Sequence, residues 1–198
     1  MKIGLTGSIA CGKSTVSAYL RELGYPVVDA DAISHALTAP GGDALPALRA
    51  EFGDGIFDGE ALNRQRLGSL VFSDPAARAR LNALLHPMIL AEIEAQLLAL
   101  DTPNSFVFGD VPLLYECGMA HMFDLVWVVH IPREEQIRRL LIRDGLSREE
   151  AQRRIDAQMP LDEKRRLADA LISTDGPIED TRRQVLTLLA APRQRRMP

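Results

Sequence analysis

Lysine is scarce in this chain: Lys2, Lys13 and Lys164 stand against twenty arginines. That bias weakens any single arginine as a signal and makes Lys13 more conspicuous. Aromatic residues are also few, at 5% of 198 positions, yet 46% are hydrophobic and 25% charged. Such a balance belongs to ordinary globular chains rather than to disordered or fibrous ones. There is no excess of positive charge, since the formal net charge is -4. A polyanion such as nucleic acid is therefore not expected as a partner. The two cysteines, Cys11 and Cys117, follow neither a metal-ligand spacing nor a disulfide framework, so reduced thiols are expected. No apolar run approaches the roughly 18 residues of a membrane span, and the residues before the first motif are too few for a signal peptide. A cytoplasmic protein without a membrane partner is the expectation, monomeric or a small homo-oligomer. His35, His121 and His130 are too scattered to form a metal site, and the basic end, Arg193, Arg195 and Arg196, reads as a solvated terminus.

Against this background one segment stands out. Gly7-Ser8-Ile9-Ala10-Cys11-Gly12-Lys13-Ser14 satisfies G-x-x-x-x-G-K-[ST], with Thr15 following. Its glycines let backbone N–H groups converge on phosphate oxygens, and a helix N-terminus beneath them adds partial positive charge. Lys13 is then placed to bridge β and γ phosphates and Ser14 to ligate magnesium. The pattern alone arises by chance in on the order of one chain in a hundred of this length, so its setting matters. Lys2 to Thr6 reads as a short buried strand before it. After it, Val16, Tyr19, Leu20 and Leu23 recur at helical spacing up to a capping Gly24. Cys11 supplies a backbone donor here, because phosphoryl transfer needs positioning and charge neutralisation rather than a sulfur nucleophile.

The rest of the chain alternates. Strands are predicted at 26–28, 106–111 and 125–131, with a weaker one at 170–172, and helices at 134–144 and 178–189. This is the rhythm of a parallel sheet wrapped by helices, a three-layer α/β fold with five strands. The span from about 32 to 102 interrupts it with helical periodicity and no convincing strand, and reads as a helical insertion. Asp74-Pro75 resembles a helix start there, Leu81, Leu84, Leu85, Met88 and Ile89 trace one apolar face, and Pro87 is expected to kink the helix. The segment from about 139 to 160 contains a helix break at Asp144-Gly145-Leu146 with a new N-cap at Ser147, as suits a lid.

A phosphate loop by itself does not separate kinases from nucleotide switches, though no N-K-x-D is present to select guanine. Other residues narrow the choice. Gly4-Leu5-Thr6-Gly7 with the loop, Asp29-Ala30-Asp31, Leu85-His86-Pro87, Val111-Pro112-Leu113-Leu114-Tyr115-Glu116, and Gln136, Arg139, Arg143-Asp144-Gly145 and Gln158 run in collinear order over about 3–175. Together they resemble the dephospho-coenzyme A kinases. The resemblance implies a P-loop kinase fold with a substrate-binding insertion and a lid, ATP and Mg2+ as nucleotide and metal, and dephospho-CoA as the acceptor, phosphorylated on its ribose 3′-hydroxyl. Gly7 to Thr15 would then hold ATP. Asp31 has two readings, the base that takes the hydroxyl proton or a helix N-cap. Asp29 would organise the loop or the metal shell. Asp110, ending the third strand, is either a carboxylate of the magnesium shell or a strand-end residue. Arg139 and Arg143, four apart on one helix, either fork onto phosphate oxygens or line a solvated face. Leu113 and Glu116 would meet the acceptor, and His86 either contacts it or packs locally. Two other readings stay open: another P-loop nucleoside monophosphate or small-molecule kinase, and a nucleotide-binding switch.

Two departures from the resemblance carry consequences. Ser8 and Ala10 occupy positions where glycine is common, and fit if their φ angles are negative. Ile172-Ser173-Thr174-Asp175-Gly176 replaces the Ile-Asp-Asn often found near the adenine, which leaves strict ATP preference open.

Overall fold

The computed structural model describes residues 1–103 and 105–191. The terminal arginines Arg193, Arg195 and Arg196 lie outside the described residues. Along the chain come β1 (Lys2–Gly7), α1 (Lys13–Glu22), β2 (Val27–Asp29), α2 (Ala30–Leu37), α3 (Leu45–Phe52), β3 (Phe57–Asp58), β4 (Ala61–Leu62), α4 (Arg64–Ser73) and α5 (Pro75–Leu100). Then follow β5 (Val107–Asp110), β6 (Leu125–His130), α6 (Arg133–Asp144), α7 (Arg148–Asp156), α8 (Leu161–Leu167), β7 (Ala170–Ser173) and α9 (Ile178–Ala190). The chain divides into two compact units, residues 1–28 with 97–198, and residues 29–96.

The first unit is built on a five-stranded sheet of order β2-β5-β1-β6-β7. β1 lies in the middle, parallel to β5 on one side and β6 on the other, and β7 is parallel to β6. A strand covered on both faces must be apolar throughout rather than alternating, and β5 and β6 are buried almost end to end. One face carries Ile3, Leu5, Phe106, Phe108, Trp127, Val129 and Ile172, closed by Val16 and Leu20 of α1 and Val185 of α9. The scarce aromatics are concentrated here: Tyr25, Phe106, Phe108 and Trp127 contact one another with ring centroids 5.3 to 6.4 Å apart. Register sets what reaches the carboxyl edge. Leu5 pairs with Asp110 on one side and Trp127 on the other, and Gly7 pairs with Val129. The loop leaving β1 and the carboxylate ending β5 therefore emerge at the same edge, where open α/β sheets bind ligands.

The second unit gathers Leu48, Ile56, Phe57 and Leu67 into its own apolar cluster, against which Leu81, Leu84, Leu85 and Met88 of α5 pack. It contains a hairpin that the sequence does not predict, β3 paired antiparallel with β4. Its strands are two residues each, too short to show a period. Asp29, not Asp31, is the N-cap of α2: its Oδ1 accepts from the Asp31 and Ala32 amides, both at 3.1 Å. The helix starts directly at the end of β2, which puts Asp31 inside its first turn rather than at the strand end.

α5 runs through Pro87 as one element of 26 residues. Its length and composition meet the requirement for crossing a bilayer, with a mean hydropathy of 1.4 over 18 residues. This differs from the sequence expectation of no such stretch: His86, Glu92 and Glu94 break the apolar run without bringing its average below that level.

Candidate active site

The loop between β1 and α1 depends on close approach at its two glycines. A Cβ on Gly7 would fall on Cys11 Sγ and lie 2.7 Å from the Val129 carbonyl oxygen. Gly12 caps α1 with φ 86°, a left-handed backbone that glycine adopts without steric cost. Ser8 keeps a negative φ, as expected. Ala10 does not: its φ is 59°, the one positive value among the described non-glycine residues. A left-handed backbone costs an alanine more than a glycine, and Ile9 and Ala10 pack on Ile137, Leu140, Ala151 and Ile155.

Side chains from four places hold this loop from outside. Gln158, just beyond α7, accepts at Oε1 from Ser8 Oγ at 3.0 Å and from the Ile9 amide at 2.8 Å. Gln136 of α6 donates to the Ile9 carbonyl at 2.8 Å. Thr174, after β7, donates from Oγ1 to the Cys11 carbonyl at 2.6 Å. Lys164 of α8 donates to the Gly7 carbonyl at 3.2 Å. The amides of Ile9 and Cys11 are thus committed, the second to the Ser8 carbonyl. At the start of α1 the Thr15 amide bonds the Gly12 carbonyl at 3.0 Å, and the helix N-terminus adds partial positive charge there. Ser14 and Thr15 are exposed at that end. Cys11 is 1% exposed, and burial pushes its thiol up despite the nearby Lys13 amide and charge. A thiol held protonated in this way is a poor nucleophile.

Lys13 forms an ion pair with Asp110, whose carboxylate is buried. The structure thereby brings together two sequence-predicted residues, one expected on the phosphates and one on the metal. Arg139 and Arg143 do share a face: both line a cavity of about 350 Å3 with Ala10, Gly12, Ser14, Arg138 and Ile142. Arg139 donates to the Thr174 carbonyl at 2.8 Å and reaches Glu135 at 3.3 Å. Glu135 forks mainly with Arg138, then with Arg139, and its carboxyl is held down at about 2. Arg143 pairs with Asp144 at 2.7 and 2.9 Å, which raises the guanidinium and lowers the carboxyl. A larger cavity of about 640 Å3 opens beside α6, α7 and α8 at the ends of β6 and β7, and meets the loop only through Gln136 and Gln158. The walls of the smaller one are the loop, the start of α1 and three arginines.

Of the residues expected to meet the acceptor, Glu116 accepts from Lys164 at 2.8 Å and from the Met159 amide at 3.1 Å. Leu113 is 40% exposed, and its carbonyl receives the Cys117 amide at 2.9 Å. Asp31 and His86 belong to the second unit, both exposed, on α2 and α5. Sequence reasoning missed Lys164 and Thr174 as loop-holding residues. Rarity of lysine was the one signal that could have pointed to Lys164, and it was spent on Lys13.

Among the described residues no three His, Cys, Asp or Glu side chains cluster as a metal site. That donor set still suits magnesium, which keeps several waters and phosphate oxygens and takes only one or two protein oxygens. Ser14 and Asp110 offer hard oxygen donors of that kind.

Comparison with known proteins gives a consistent family. The family model for dephospho-CoA kinase matches residues 1–180. A dephospho-CoA kinase of Carboxydothermus hydrogenoformans is 45% identical over 190 residues, 94% of this chain and 92% of that one. A Thermus thermophilus crystal structure, TT1252, superposes with a TM-score of 0.81 at 39% identity, covering 96% of each chain. A dephospho-CoA kinase from Campylobacter jejuni superposes with a TM-score of 0.68 at 30% identity over 95% of each.

Proposed function

Because the chain belongs to the dephospho-CoA kinase family, we propose for it the transfer of the ATP γ-phosphoryl group to the ribose 3′-hydroxyl of dephospho-CoA, giving CoA and ADP. The observation that carries this reading is the cradle from Gly7 to Thr15, with Lys13, Arg139 and Arg143 beside it. In the reaction the bond from the 3′-oxygen to phosphorus forms, the bond from phosphorus to the ADP oxygen breaks, and the hydroxyl proton leaves.

Asp31 is the acceptor of that proton. Its support is the family motif Asp29-Ala30-Asp31 together with its own surroundings: an exposed carboxylate in the first turn of α2, its amide fixed by Asp29. Lys13 moves from Asp110 to the β and γ phosphates when ATP arrives, and Arg139 and Arg143 neutralise charge on the transferring group. Ser14 and Asp110 would hold magnesium, which would supply neutralisation of phosphate charge. Leu113, Glu116 and His86 take the acceptor side. Gln136 and Gln158 keep the loop in shape while α6 and α7 exclude water from the cavity.

The test is ADP release from ATP and magnesium with dephospho-CoA, AMP, UMP, gluconate and shikimate in parallel. Dephospho-CoA alone should support turnover. Stimulation only by another acceptor would overturn the assignment, and ATP binding without acceptor-dependent release would favour a switch. Asp31→Asn should lower kcat by about 100-fold or more, the scale of general-base catalysis, with ATP affinity kept. Full turnover in that variant would remove Asp31 as the base.

A further inference from the structure

The reaction so described leaves one buried charge without a task. Lys164 is fully buried on α8. Its ammonium has three N–H donors and three acceptors around it: the Gly7 carbonyl at 3.2 Å, the Pro112 carbonyl at 3.2 Å and Glu116 Oε1 at 2.8 Å. Stability alone does not call for a lysine in this place. An apolar side chain of similar volume fills such a space at no desolvation cost, and replacing a buried ion pair by apolar residues is often neutral or stabilising.

What the ammonium adds is direction. A peptide unit is planar and trans, so a carbonyl fixed on one side turns the next N–H to the opposite side. Holding the Gly7 carbonyl aims the Ser8 amide, at the mouth of the phosphate loop, and Gly7 is the residue whose own backbone resists rotation least. Holding the Pro112 carbonyl aims the Leu113 amide in the segment that leaves Asp110. Thr6 Oγ1 donates to that same carbonyl at 3.1 Å, so the β1 exit and the β5 exit are tied at one point.

We propose that Lys164 is a positioning residue for phosphoryl transfer: a single buried ammonium fixes the first peptide plane of the phosphate loop and the peptide plane following β5 in one mutual geometry. It touches neither phosphate nor acceptor. Glu116 neutralises it and ties it to the segment after α7 through the Met159 amide. The inference rests on the kinase reading and deepens it.

The test compares the parent chain with Lys164→Met, which keeps stem length and removes the donors, and with the double variant Lys164→Met, Glu116→Leu, which also removes the stranded carboxylate. Melting temperature, the ADP dissociation constant and kcat are measured for each. The single variant should lose melting temperature, bind ADP at least tenfold more weakly and lose at least 30-fold in kcat. In the double variant the melting temperature should return while ADP affinity and kcat stay low. Glu116 lies on the acceptor side, so the lost ADP affinity reports on Lys164. A double variant with parental melting temperature and ADP affinity within threefold of the parent would overturn the proposal, and so would failure of both variants to fold, since either makes the lysine merely structural. A parent chain that releases no ADP with dephospho-CoA refutes the kinase reading itself, and that result is read on the unaltered protein.

Discussion

At Gly12 the backbone enters α1 with φ 86°, and a methyl built there would lie 3.1 Å from Thr174 Oγ1 and 3.2 Å from Arg139 Nη1. Gly12→Ala meets two penalties: about 1–2 kcal/mol for a left-handed backbone carrying a Cβ, and displacement of Thr174 and Arg139 from their contact. Arg139 lines the cavity beside Ser14, so under the proposed function the second penalty reaches ATP binding. Calorimetry should show an ATP dissociation constant raised at least tenfold, with a melting temperature lower by several degrees. Unchanged ATP affinity would mean that Thr174 and Arg139 give way without consequence. The two glycines were legible because the motif names them. Ala10 was not, because the motif leaves the positions between them unspecified. A negative φ was the natural expectation for alanine, and the left-handed value occurs where Ala10 packs against α6 and α7 residues distant in sequence.

The loop as an element is closed by its own braces, and its cysteine reports on whether it opens. Burial raises the Cys11 thiol against the pull of Lys13 and Lys164, and Cys117 is raised by burial and then by Glu116. A folded-state thiol pKa above its unfolded value favours the folded state below the unfolded value, and that preference is lost as pH rises through the folded one. At pH 8 less thiolate is therefore present than in a free cysteine. Iodoacetamide followed by mass spectrometry should label half-buried Cys117 first and Cys11 at least tenfold more slowly than a free thiol, and ATP should slow Cys11 further. Labelling of Cys11 at the free-cysteine rate would show that the braces open readily. Elements with a helical period, α1 and α6, or with a continuous apolar run, β1, β5 and β6, were legible here. The β3–β4 hairpin was too short for a period. In α8, Lys164 stands among Asp162, Glu163, Arg165 and Arg166, and it turns inward to two carbonyls that only the tertiary fold brings near.

For the molecule as a whole, alternation gave the α/β class, but strand order depends on contacts between residues a hundred positions apart. Leu5 beside Asp110 is one such contact. Lys13 pairs with Asp110 at that edge, and its part in nucleotide binding is measurable as stability. Any ligand that binds only the folded state stabilises it by mass action, about 2.7 kcal/mol at one hundred times its dissociation constant. For a chain of this size about 2–4 °C accompanies each kcal/mol, so ATP at that level should raise the melting temperature by about 5–10 °C. Lys13→Met should cut the shift at the same ATP concentration to less than half. The variant also leaves the Asp110 carboxylate, 4% exposed, without its cation, so its starting melting temperature falls as well and only the shifts are comparable. Lys13→Met with Asp110→Asn removes that stranded charge and should recover most of the starting value while the ATP shift stays small. A shift equal to the parent's in either variant would take Lys13 out of the phosphate site and leave its pairing with Asp110 as its whole role.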